Sequence, residues 1–172
     1  KKNISDNSSE KIIFGENFNY KKNTDGFVYK DNLGKINLPL PNLSGDFQIS
    51  NISIAIATAR KLSQFKISDS HIKQAITKIK SEGRLQSITR GKLRKYVSKN
   101  NQILIDGAHN VLAASEIRKY LETLNSGRKI FMILGMMANK EHKKFIQIFK
   151  DSVYSVMALN DPYPVSLIDD VK

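Results

Sequence analysis

The chain has 172 residues, 40% of them hydrophobic, a formal net charge of +12 and no cysteine. A thiolate nucleophile, a disulfide framework and a zinc–thiolate site are therefore excluded, and no apolar run of about 18 residues exists to span a membrane. Six of the 28 basic residues are arginine and the rest are lysine, scattered among many Ile and Asn; this reads as compositional drift, although such a charge also suits an anionic partner.

The opening KKNISDNSSE is polar and is not a signal peptide; without an initial Met, it reads as the start of a processed chain or of a piece of a longer one. Residues 11–40 read as β, with a short run at 11–15 and a hairpin over 25–38 turning at Asn32-Leu33-Gly34. Two prolines and a glycine in LPLPNLSG (38–45) break regular structure. A helix is expected over 51–63, with Ile52, Ala55, Ile56, Ala59 and Leu62 inward. A second covers 67–80, with Ser68 or Asp69 as its cap, Ile72, Ala75, Ile76 and Ile79 as its stripe and Gly83 at its end.

The pattern changes at Gly83. Strands are expected at 84–88, 93–97, 101–105, 129–135 and 153–159, the third apolar enough for a central position, with helices at 111–124 and 141–150. The first of these helices would turn Leu112, Ile117, Tyr120, Leu121 and Leu124 inward. Residues 161–165 read as a loop and SLIDDVK as the start of another helix. Alternating strands and helices with short links predict a mostly parallel sheet with helices on its faces. The expected division is 1–82 and 83–172.

In such a sheet, ligands sit at the carboxyl ends of strands. Asp106 to Asn110 occupy such an end before a helix, where free N–H groups favour an anion. Asp106 suits sugar hydroxyls, Gly107 a close backbone approach, and His109 a phosphate, a carboxylate or a proton shuttle. The plainer reading is that Asp106 or Asn110 only caps the helix. Arg84 in GRLQ offers a fork for phosphate or a structural ion pair. Gln48 and Asn51 carry amides suited to an adenine edge, unless Asn51 is an N-cap. Lys140 and His142 lie in the same row of strand ends as Asp106; His142, like His71, is expected to face solvent. Three widely spaced His without Cys form no metal cage, and the four Met read as packing residues.

The order LSGDFQISNISIAIATA, GRLQ, LIDGAHN, LGMMANKE resembles the folylpolyglutamate synthase / dihydrofolate synthase branch of the Mur ligase family, from about residue 11 onward. The D-G-A-H-N string with G-R-x-Q is the specific part. The resemblance implies the tail of a P-loop ATPase domain followed by a Rossmann-like α/β ligase domain, with ATP between the two. ATP would phosphorylate a carboxylate on dihydropteroate or a folate, and L-glutamate would attack the acyl phosphate. Gln48, Asn51, Arg84, Asp106 and Asn110 would hold the nucleotide, with Asn51 at adenine and Asp106 at ribose. His109 would be catalytic. A cytoplasmic enzyme, monomeric when intact, with no nucleic acid or membrane partner, is implied as well.

This chain departs from the family pattern. No G-x-x-x-x-G-K-[ST] occurs, so the phosphate cradle and the Mg²⁺ ligands are expected upstream. Glu82 and Val111 replace prolines flanking the two motifs, and Asn139 replaces an aspartate. The expectation is a C-terminal piece, truncated at its own end and inactive alone. The alternatives are a non-catalytic remnant of a split or decaying gene, or a nucleotide-binding module.

Overall fold

The computed structural model describes residues 10–124 and 127–159. The expected loop at 161–165 and helix start at 166–172 lie outside them. The chain divides into two compact units, Lys1–Glu82 and Gly83–Lys172.

In the first unit, β1 (Phe18–Lys22), β2 (Gly26–Asp31) and β3 (Gly34–Pro39) form an antiparallel meander in which Tyr20 faces Tyr29 and Tyr29 faces Ile36. The β2–β3 turn falls where the sequence places it. Asp31 Oδ1 accepts the Leu33 N–H at 2.9 Å, and Gly34 takes φ +118°. Gly26 has a different reason to be glycine: a β-carbon there would lie 2.2 Å from the Leu38 carbonyl oxygen on the paired strand. Period-2 alternation sends Phe27, Tyr29, Ile36 and Leu38 to one buried face.

That face packs on α1 (Phe47–Lys61) and α2 (Asp69–Lys78), which bury Ile49, Ile52, Ile56, Ile72 and Ile76. Helix α1 begins four residues before the position read from periodicity, with Asp46 at its cap. Ala55 is therefore exposed and Ile49 and Ala57 are buried. The Arg60 guanidinium donates to Asp31 Oδ1 at 2.7 Å, and Tyr29 OH donates to Asp31 Oδ2 at 3.2 Å. Burial and the Asp31 charge push the Tyr29 phenol well above its ordinary value, so it stays protonated. Ser68 caps α2 in a reciprocal pair: the His71 N–H donates to Ser68 Oγ, and the Ser68 N–H to His71 Nδ1, each at 3.3 Å. His71 is thus a capping residue. The helix stops at Lys78, and Gly83 belongs to the next motif.

In the second unit, β4 (Gln86–Ser87) pairs antiparallel with β5 (Leu104–Ile105). Next come α3 (Val111–Thr123), β6 (Phe131–Leu134), α4 (His142–Ile148) and β7 (Ser155–Ala158), with β6 and β7 parallel. The fold is α/β. Several expectations change, and the strand expected at 84–88 shortens to β4. Residues 93–97 contain a 3₁₀ turn, Leu93–Tyr96, not a strand, because the Arg94 guanidinium donates to the carbonyls of Val97 and Ser98 and closes the chain on itself. The expected central strand at 101–105 shortens to β5 at one edge of a two-stranded ladder.

Ala114, Leu121, Phe145 and Phe149 form the buried core, with Ile117, Met132, Leu134 and Met136 packed against it. Leu112 instead points out, at 76% exposed, because α3 turns its Ala114–Ile117–Leu121 stripe inward. Met137 and Met157 are exposed, so two of the four methionines are not packing residues. Arg118 Nη1 donates to the Ile148 carbonyl at 2.9 Å and ties α3 to the end of α4. Among the described residues no helix is long and apolar enough to cross a membrane.

Candidate functional site

The GRLQ and DGAHN motifs, about 20 residues apart in sequence, are stitched together by short polar contacts. The β4–β5 ladder brings them side by side, pairing Gln86 with Ile105. Beyond the ladder, Asp106 takes over: Oδ2 accepts the Leu85 N–H at 2.8 Å and Oδ1 accepts the Ala108 N–H at 2.8 Å. The Gly107 N–H donates to the Gly83 carbonyl at 2.8 Å, and the Gly83 N–H donates to Gln86 Oε1 at 2.9 Å.

The backbone pays for this clasp. Leu85 is buried and sits at φ +45°, a left-handed conformation that costs a non-glycine residue about 1 kcal/mol or more. Gly83 is at φ +64°, where glycine is at ease. A β-carbon on Gly107 would lie 3.6 Å from the Gly83 carbonyl oxygen and 3.9 Å from Arg84 Nη1, so the two glycines and the arginine are neighbours.

Arg84 is exposed, with no ion pair or hydrogen bond among the described residues. Among the described residues no structural ion pair engages it, and its five donors remain available to an anion. Asp106 is half-buried with one donor on each oxygen, which leaves each oxygen a further lone pair. His109 is exposed with Nδ1 3.0 Å from the Gly107 carbonyl oxygen. A carbonyl only accepts, so Nδ1 is the donor in this contact, and Nε2 makes no hydrogen bond among the described residues. Asn110 caps α3, with Oδ1 accepting the Ala113 N–H at 2.9 Å. The capping reading thus holds for Asn110, whose side chain keeps its Nδ2 donors and one Oδ1 lone pair for anything else.

On the first unit, Gln48 and Asn51 lie in the opening turns of α1. Asn51 is exposed and is not an N-cap; its Nδ2 donates to Gln48 Oε1 at 3.1 Å. Gln48 is only 4% exposed, and its Nε2 has no hydrogen-bond partner among the described residues. The outward-facing amide is Asn51, and Gln48 holds it from beneath. Lys140 sits in the turn between β6 and α4, and His142 opens α4, where its Nε2 is 2.7 Å from the Met137 carbonyl oxygen and ties the helix start to that turn. Among the described residues no three His, Asp or Glu side chains could together hold a metal ion.

Two structural parts escaped the sequence reading: the glutamine of GRLQ, which closes the turn through Gly83, and the strained Leu85. A glutamine three residues after a glycine at a strand start is the only local signal of the first. The second has none.

Residues 83–172 match the family model described as "Mur ligase, glutamate ligase domain". A folylpolyglutamate synthase from Lacticaseibacillus casei is 32% identical over 120 residues, covering 67% of this chain and 26% of that protein. Among solved structures, a complex described as FPGS–AMPPCP–folate is 25% identical with a TM-score of 0.68, over 92% of this chain and 40% of that one. An Escherichia coli FolC structure in complex with ADP is similar in fold, at 24% identity and a TM-score of 0.70, over 87% of this chain and 34% of that one. The chain spans about a quarter of the length of the curated relatives it matches.

Proposed function

The chain belongs to the Mur ligase family, and on that premise we propose that it is part of an ATP-dependent carboxylate–amine ligase that adds L-glutamate to dihydropteroate or a folate. In the proposed reaction ATP transfers its γ-phosphoryl group to a substrate carboxylate, releasing ADP. The glutamate amine then attacks the acyl carbon, phosphate leaves, and an amide remains.

One observation carries the reading: the Asp106 clasp leaves Arg84 unpaired among the described residues and exposed beside Gly107, which precedes the start of α3 by four residues. Arg84 would neutralise phosphate charge, which is much of what phosphoryl transfer asks of a protein. The free lone pairs of Asp106 would accept from ribose hydroxyls. The unengaged Nε2 of His109 would take a proton from the glutamate ammonium, freeing the amine lone pair to attack, or would donate to a phosphate or carboxylate oxygen. Asn110 would contribute its remaining amide donors. On the first unit, Asn51 would read the adenine edge and Gln48 would act through it.

Among the described residues no three carboxylate or imidazole side chains come together to hold Mg²⁺, and its ligands would come from elsewhere in the intact enzyme. No phosphate-cradling G-x-x-x-x-G-K-[ST] occurs in the chain either, so glutamate addition by the chain alone is not expected. The non-catalytic alternative shares the nucleotide site and differs only in turnover.

The test is nucleotide affinity, measured by equilibrium dialysis, for Arg84→Gln in the intact enzyme. The Arg84 side chain makes no hydrogen bond or ion pair among the described residues. A loss of about tenfold or more is expected; unchanged affinity would sink the site assignment. Measurable glutamate incorporation by the purified 172-residue chain would overturn the expectation of inactivity.

A further inference from the structure

We propose that the second unit carries a binding site for a compact oligophosphate anion, formed by Arg90, Arg94, Lys95, Lys99 and Arg128 and distinct from the Asp106 clasp. A cavity of about 790 Å³ lies at the far end of the β4–β5 ladder from Asp106, where the Ile88 N–H donates to the Ile103 carbonyl at 2.9 Å. Its lining holds these five cations and no Asp or Glu. Among the described residues none of the five enters an ion pair.

Compositional drift does not account for this grouping. Residues 83–105 contain six basic residues and no acidic one, half of the chain's net charge of +12. Lysine greatly outnumbers arginine along the chain, yet three of its six arginines line this one cavity. Arg128 arrives from beyond α3, so the fold, and not a local run, completes the set. Arg94 is held in place by its bonds to the Val97 and Ser98 carbonyls, both 3.0 Å, and its charge is fixed at the cavity.

The ligand class follows from the chemistry. Arginine forks match pairs of phosphate oxygens, and lysines add point charges. Five like charges around one cavity repel each other, and a single monoanion cannot offset them, whereas a short run of phosphates can. The volume is that of a small-ligand site. Tyr96, 87% exposed, is the sole aromatic residue between 83 and 105, too few for the stacking platform of a single nucleic-acid strand.

The experiment titrates sodium tripolyphosphate, orthophosphate, ATP and a short single-stranded RNA into the full chain by calorimetry. Tripolyphosphate binds, and orthophosphate binds at least about tenfold more weakly. Arg90→Gln/Arg128→Gln weakens tripolyphosphate by about tenfold or more; neither side chain makes a hydrogen bond or ion pair among the described residues, so the melting temperature stays put. The control Lys35→Gln/Lys73→Gln removes the same charge from the first unit and changes affinity by less than about twofold. ATP binding that is lost in the arginine pair identifies the ligand as a nucleotide's phosphate tail. Tripolyphosphate binding without ATP binding at these residues identifies a free oligophosphate. No tripolyphosphate binding, equal weakening in both double variants, orthophosphate binding as tightly, or RNA binding in place of tripolyphosphate would each overturn the proposal.

Discussion

The two units bury their chains in different ways. In the first, strands of five and six residues present one continuous face to two helices. In the second, no described strand exceeds four residues, and the buried core comes from α3, α4 and the residue after α4. One face of its β6–β7 pair stays open, with Phe131 66% and Ile133 69% exposed. Where sheet burial is thin, polar contacts take over, and Asp106 does by hydrogen bonds what Tyr29 and Ile36 do by packing. The candidate residues lie in that second kind of structure, on loops at strand ends. Such loops can afford exposed, unpaired side chains such as Arg84.

The sharpest way to break this contrast is to empty each core in turn. Phe27→Ala and Phe149→Ala each remove a ring that is about 1% exposed, and each should cost about 3–5 kcal/mol. Hydrogen exchange should confine each loss to its own unit; a loss that spreads across both would show one cooperative body. Asp106→Ala comes next. It leaves the Leu85 and Ala108 N–H groups without their acceptor and should cost about 2 kcal/mol by urea unfolding. Amides 83–110 should lose protection while those of β1–β3 keep it. Ser68→Ala, which removes the α2 cap, should cost about 1 kcal/mol in the first unit alone. Arg84→Gln should be the smallest change in stability, within about 0.5 kcal/mol, because it breaks no hydrogen bond or ion pair among the described residues. Its effect should appear in nucleotide binding instead, which separates function from fold at the clasp.

Much of the outline was legible from the residues. The hairpin turn at Asn32-Leu33-Gly34, the Ser68 cap and the β6, α4 and β7 run follow local patterns whose physics is local. Errors came where a contact that apolar periodicity does not report decided the outcome, whether from a neighbouring side chain or from a distant face. Arg94 turned an expected strand into a 3₁₀ turn by reaching the Val97 and Ser98 carbonyls. The start of α1 moved because Ile49 had a sheet face to bury against, which periodicity within the helix does not report. For the site, the motifs themselves were visible, and so was the amide of Asn110 as a cap. The roles of Gln86 and Leu85 were not, because each depends on a chain segment brought in from elsewhere.

Sequence alone determined the family, the α/β class and the two motifs, because these rest on residue identity, order and short-range periodicity. Tertiary structure decided which groups are spent and which are free. Asp106, Asn110 and Gln48 already hold parts of the fold, whereas Arg84 and the unengaged Nε2 of His109 hold none. It also decided that Arg128 joins four cations of the 90–99 stretch around one cavity. A hydrogen bond or a shared charge needs two groups within a few ångströms, and only folding sets that distance between residues far apart in the chain.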